Sequence, residues 1–156
     1  MADSSDPAVL DEGTENAALG EALAAEHAAI WGYGVVGAEL GASAQGQATA
    51  SETAHRDARD RVITLLTDRT VDPVGAEGAY ALPFPVRSAT DAAALAVVLE
   101  DGVAAAWVRV LDQAVERTTR ELSIGVLIAT EVRAVSWRLS AGQSPVTSAF
   151  PGLPPS

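Results

Sequence analysis

Four stretches of the chain carry apolar residues at alternating steps of three and four, the spacing that lines one face of an α-helix, and a glutamate interrupts each stripe. In the first, Leu19, Leu23, Glu26, Ile30, Tyr33, Gly37 and Leu40 share a face. The second sets Glu52 and His55 on the face continued by Val62 and Leu66. The third runs Val97, Glu100, Ala104, Trp107, Leu111, and the fourth Ile124, Ile128, Glu131, Val135. Four long helices and no strands are the expectation.

The punctuation between stripes sets their order in space. Residues 1–14 read as a disordered acidic tail ending at Thr14, a cap for a first helix over 15–40. Gly41 closes that helix and Ser43 opens a second, continuing to about Thr70, so the two form an antiparallel hairpin. Pro73, Gly75, Gly78, Pro83 and Pro85 exclude helix over 71–89. Extended at ~3.3 Å per residue, that stretch outruns the roughly 40 Å length of the second helix, which permits a long crossover. Ser88 or Thr90 caps a third helix running to about Val115, and Thr118 with Glu121 forms a capping box that opens a fourth, ending near Ser140. The fold class is therefore all-α, an up-down four-helix bundle over 15–141, followed by an extended Pro/Gly-rich tail over 142–156 that Phe150 would pin to the bundle.

Inside such a bundle the glutamates become the chemical problem. Glu26 and Glu52 lie at equal distances from the first turn, and Glu100 and Glu131 from the last, so each pair sits at one height. A buried carboxylate left alone costs several kcal/mol, so four of them must be protonated, paired or given cations. Arg56 and Arg133, offset by one and two residues from His55 and Glu131, are expected to turn away from the inner face. Two divalent ions, with His55 as a neutral ligand, would balance the charge. Hard oxygen donors with one imidazole suit iron or manganese better than zinc.

Composition narrows the field. Alanine is abundant and aromatic residues make up only 4%, which favours close helix packing over β structure. All ten basic residues are arginine and the net charge is −11, a poor match for nucleic acid or an anionic membrane surface but a good one for metal ions. With no cysteine there is no disulfide, thiolate ligand or cysteine nucleophile. The acidic N-terminus lacks secretory-signal character, and no apolar run is long enough to span a bilayer, so a cytoplasmic location is expected.

One inward glutamate per helix, with a short join, a long crossover and a short join, is the arrangement of the di-iron and di-manganese carboxylate bundles. Glu26 and Glu100 match their single glutamates, and Glu52-Thr53-Ala54-His55 matches one Glu-x-x-His. The fourth helix reads Glu131-Val132-Arg133-Ala134, with alanine where the second histidine belongs. The series Glu26, Tyr33, Glu52-x-x-His55, Glu100 resembles the ferritin and bacterioferritin metal sites. More narrowly, AEHAAIWGYGVVGAEL, AHRDARD, YALPFPV, LEDGVAAAW, WRLSAG and TSAFPG resemble a ferritin-like domain of unknown function common in actinobacteria. The resemblance implies bridging ligands at Glu52 and Glu131, terminal ligands at Glu26 and Glu100, an imidazole from His55 and a catalytic Tyr33 hydroxyl beside the site. It also implies oxidase-type chemistry with O₂ or peroxide. Ala134 departs from the pattern and puts the second metal in doubt, and no fifth helix supports a 24-subunit shell.

The rival reading is a metal-free scaffold or interaction bundle with a degenerate site, forming a homodimer through Gly32, Gly34 and Gly37 of the first helix. His27 reads as a surface histidine, and Trp31, Trp107 and Trp137 as core or interface fillers.

Overall fold

The computed structural model describes residues 11–153, and within them the chain forms four helices: α1 (Glu12–Glu39), α2 (Ala42–Asp68), α3 (Ala89–Gln113) and α4 (Arg117–Ser140). α1 starts three residues before the expected position. Asp11 is its cap, accepting from the Thr14 amide at 2.7 Å, while the Thr14 hydroxyl accepts from the Asp11 amide at 3.2 Å. The rest of the expected tail, residues 1–10, lies outside the described residues. Ser88 caps α3 as expected, accepting from the Asp91 amide.

α1 packs against both α2 and α3, and α3 against α4, giving two hairpins joined by the long segment 69–88. α2 and α4 meet through side chains, Gln47 donating to Ser136 and the Trp137 indole to Ser51. The crossover runs over α1, where Val74 O lies 3.1 Å from His27 Nε2 and Tyr80 stacks at a tilt on Trp31. Phe84 and Val86 then tuck under the core.

The apolar interior is split in two. One cluster, containing Leu19, Leu23, Val62, Leu66, Trp107 and Val110, fills one end of the bundle. A second, with Tyr33, Val36, Leu40, Leu95 and Trp137, fills the other. Glu26, His55 and Glu100 come between the two along their helices, so a polar layer crosses the middle of the core.

Two expectations about packing change in part. Gly32 does not offer a free face for a second chain: a Cβ there would stand 2.7 Å from Leu99 Cδ1, so the glycine lets α3 approach α1 within the bundle, while Gly34 on the same helix is exposed with open space around it. Nor does Phe150 pin the C-terminal tail, since it is 68% exposed. Gly152 does so, with φ +79° and its α-carbon so close to α3 that a Cβ would meet Ala104 O at 2.7 Å. Val146 O and the Ser148 amide tie the same tail to Arg138 and Glu131.

Candidate functional site

The polar layer is built by one residue from each helix, though not the four that the stripes name. Glu26 on α1 and Glu100 on α3 are both fully buried where the sequence puts them, and His55 on α2 lies between them. Its Nδ1 is 2.7 Å from Glu26 Oε2 and its Nε2 is 3.2 Å from Glu100 Oε1. The fourth contributor is Arg133, whose Nε donates to both Glu100 oxygens at 3.0 and 3.1 Å. Trp107 Nε1 donates to the remaining Glu26 oxygen at 2.7 Å, and the Tyr33 hydroxyl donates to Glu100 Oε1.

Arg133 reaches the layer because α4 is rotated relative to its apolar stripe. The face of α4 turned inward carries Thr119, Ser123, Thr130, Ala134 and Trp137. At ~100° per residue this face lies roughly 130° around the helix from Ile124, Ile128, Glu131 and Val135. Ile124 and Ile128 are consequently exposed, and Glu131 sits at the edge, bonded to Arg138 Nη1 at 3.0 Å. Arg133, expected to turn away, is close enough to the inner face for its long side chain to reach in.

Glu52 is displaced for a similar reason. The buried residues of α2 are Ala48, Ser51, His55, Ala58, Val62 and Leu66, which leaves Glu52 on the rim, 28% exposed and paired one turn on with Arg56. Of the five expected ligands, three converge and two, Glu52 and Glu131, stay outside.

The three that converge do not form a chelate. The two nitrogens of an imidazole point in opposite directions, so Glu26 and Glu100 lie on opposite edges of the His55 ring and a single ion cannot reach all three groups. Among the described residues, no group of three or more His, Asp, Glu or Cys is arranged to hold a metal ion. The metal positions on His55 and Glu100 are already used by protons and a guanidinium. The residues present therefore do not fit the implied di-metal centre.

They do balance each other's charge. Both Glu100 oxygens accept from Arg133, the pattern of an ionised carboxylate, while Glu26 accepts from Trp107 through Oε1 and lies against His55 Nδ1 through Oε2. For both nitrogens of His55 to donate to carboxylates, the ring must be an imidazolium. Burial alone would lower its pKa, but hydrogen bonds to Glu100 and Glu26 and their negative charge outweigh it, raising the pKa to about 9. Burial pushes the Glu100 carboxyl up, yet the His55 hydrogen bond and the charges of His55 and Arg133 hold it below its usual range. Tyr33 is driven strongly upward by burial and by the Glu100 charge, so it serves as a neutral donor. Two anions meet two cations, and no buried side-chain polar atom among the described residues lacks a partner.

The layer is also sealed. Tyr33, Glu26, His55 and Glu100 are at most 1% exposed, and the cleft of about 160 Å³ between α2 and α4 stops at Arg133 without being lined by any of them.

A pH dependence follows. The folded pKa of His55 stands above its unfolded value of ~6.5, so its contribution is fully present below pH ~6.5 and is lost as pH rises through about 9. Urea denaturation between pH 6.5 and 9.5 should show a loss on the order of 3 kcal/mol, and His55→Ala should flatten that slope.

An all-α four-helix bundle crossed by a neutralised carboxylate–imidazolium–guanidinium layer is thus the class of protein that the fold and site define. The chain belongs to the family described as Domain of unknown function (DUF4439), which matches residues 18–155. It is similar in structure to a conserved hypothetical protein from Mycobacterium tuberculosis, with 38% sequence identity over 83% of this chain and 98% of that one, at a TM-score of 0.81. A comparison with curated proteins finds no match. Among the described residues, no helix is long and apolar enough to cross a membrane.

Two participants of the layer, and one buried carboxylate outside it, were missed or misassigned by sequence reasoning. Trp107 shares the Glu100 stripe, which hints at contact, but its bond to Glu26 on another helix leaves no local trace. Arg133 lies on neither apolar face. Glu15, fully buried, accepts from the Val115 and Glu116 amides, Thr119 and Arg69, and so pins the turn that leads into α4, whose cap residue is Glu116 and not the Thr118 that the sequence suggests.

Proposed function

We propose that this chain is a metal-free helical-bundle module that works by protein interaction, its buried charge layer fixing how the helices pack. The observation that carries this reading is His55 bonded through both ring nitrogens to Glu26 and Glu100, with Arg133 across the outer side of Glu100. An iron or manganese centre would have to displace an imidazolium proton and a guanidinium that already neutralise the site. Buried networks of this kind are expensive to half-break and specify one packing against alternatives. Tyr33, within this reading, is a positioning donor for Glu100 and performs no redox step.

The test is metal content by elemental mass spectrometry on untagged protein grown with iron and manganese, alongside thermal melts with chelator, ferrous iron or manganous ion. The reading predicts metal far below one equivalent and melting curves that superimpose. Near-stoichiometric metal, lost in His55→Ala together with a metal-dependent rise in melting temperature, would overturn it in favour of the carboxylate-bridged centre.

A further inference from the structure

Residues 143–153 fold back over α3 and α4 and are held there by backbone groups and one glycine. Arg138, 8% exposed, donates through Nη1 to Val146 O at 3.1 Å, and the Ser148 amide donates to Glu131 Oε1 at 3.4 Å. Arg138 is itself steadied by Asp101 of α3 and by Glu131. Beyond this clasp the chain makes a tight turn. The Leu153 amide donates to Phe150 O at 3.1 Å, with Pro151 and Gly152, φ +79°, at the two central positions. Proline followed by a glycine of positive φ is the pattern of a type II β-turn.

The turn seats on α3. Asp101, Ala104 and Val108, spaced i, i+3 and i+7, run along one side of that helix, and Gly152 rests against the last two. A Cβ on Gly152 would stand 2.7 Å from Ala104 O and 2.6 Å from Val108 Cγ2. Backbone angle and space thus demand glycine independently, so the notch accepts a proline–glycine turn and rejects one with a side chain at that position.

The seat is selective, yet the hold is shallow. Phe150 and Leu153, the two largest apolar side chains of the tail, are 68% and 53% exposed, and from 143 to 150 only Val146 is half-buried. Burial of those two side chains is what would make such a strap permanent.

We infer that the notch formed by Asp101, Ala104 and Val108 of α3 with Glu131 and Arg138 of α4 is a recognition site for a proline–glycine β-turn. The chain's own tail fills it until a partner protein presenting such a turn displaces the tail. The inference rests on the interaction reading above and names the surface that reading uses. A second copy of this chain is not the partner, because each turn it donates is withdrawn from its own notch and exchange gains no contact. A foreign turn brings flanking contacts that the tail, with Phe150 and Leu153 in solvent, does not make.

Fluorescence anisotropy with a labelled peptide of residues 143–156 and the full-length protein tests it. Gly152→Val stops the chain's own turn from seating, and Leu153→Pro does so by removing the amide that closes the turn. Both changes lie in the tail, so melting curves should match the wild type. The peptide should bind each variant with a Kd below about 1 mM. It should bind the wild type at least about tenfold more weakly, because a tethered tail competes at an effective concentration in the millimolar range. The peptide carrying Gly152→Val should bind neither variant. Metal content decides the metal-free reading separately, so a failure here leaves that reading standing. No binding to either variant overturns the inference, as does equal binding to variants and wild type, or equal binding of the two peptides. A wild type that sediments as a dimer and is dissociated by Gly152→Val also overturns it, by giving the notch to a second copy.

Discussion

Glu100→Gln should destabilise the protein by about 3–5 kcal/mol, the cost of removing one partner from a buried ionic network. Glu100 is fully buried and receives His55, Tyr33 and Arg133. Glutamine keeps the volume but removes the charge, so two cations are left with the single carboxylate of Glu26, and the amide's NH₂ is forced against a donor. For a domain of this size that is a fall in melting temperature of roughly 10 °C. Adding Arg133→Met to Glu100→Gln should recover part of the loss, because the second change removes the stranded cation. Equilibrium urea denaturation of the two single variants and the double variant measures the coupling. Strict additivity would mean that Arg133 and Glu100 act separately.

Glu15→Ala should cost about 3–4 kcal/mol from a site the stripes do not reveal. Its carboxylate gathers the Val115 and Glu116 amides at 2.5 and 2.8 Å, the Thr119 hydroxyl at 2.5 Å and Arg69 Nη2 at 2.6 Å. One side chain on α1 thereby fixes the α3–α4 turn and the end of α2. Removing it leaves two backbone donors and a guanidinium without their acceptor. Burial would raise the Glu15 pKa, but bonds from Thr119, Glu116, Arg69 and Val115 lower it. With a folded pKa below the unfolded one, its contribution is present above pH ~4.3 and is lost as pH falls through the folded value. Hydrogen exchange should localise the damage, with amides over 114–120 losing protection first.

Which parts of this architecture can be read from sequence depends on whether the apolar face of a helix is the face it buries. In α1 and α3 it is: Leu19, Leu23, Glu26, Tyr33 and Leu40, and likewise Val97, Glu100, Ala104 and Trp107, are buried as their spacing requires. In α2 the rule half holds, because Glu52 and His55 differ by about 60° around the helix and only His55 faces the core. In α4 it fails. The helix buries threonine, serine and alanine against α3 and presents isoleucine, valine and leucine to the outside. Apolar spacing alone does not say which face of α4 is turned inward, so it places Glu131 in the site and leaves Arg133 out. The remaining partnerships, Trp107 with Glu26 and Glu15 with Val115, cross 81 and 100 residues of chain. No local periodicity encodes such distances.

The residues that converge also explain why the sequence predicts a metal site. Glu26, His55, Glu100 and Tyr33 do converge, but Ala134 supplies no imidazole and its neighbour Arg133 supplies a positive charge. A guanidinium at Glu100 and a shared imidazolium give the two carboxylates the two positive charges that one divalent ion would otherwise bring.

Histidine-selective ¹⁵N NMR at pH 7.5 tests that account most directly, since the chain has only His27 and His55. Both ring nitrogens of His55 should carry protons, and its signals should survive one equivalent of manganous ion unchanged. A neutral His55 with one bare nitrogen, or His55 signals bleached by stoichiometric manganese, would contradict it.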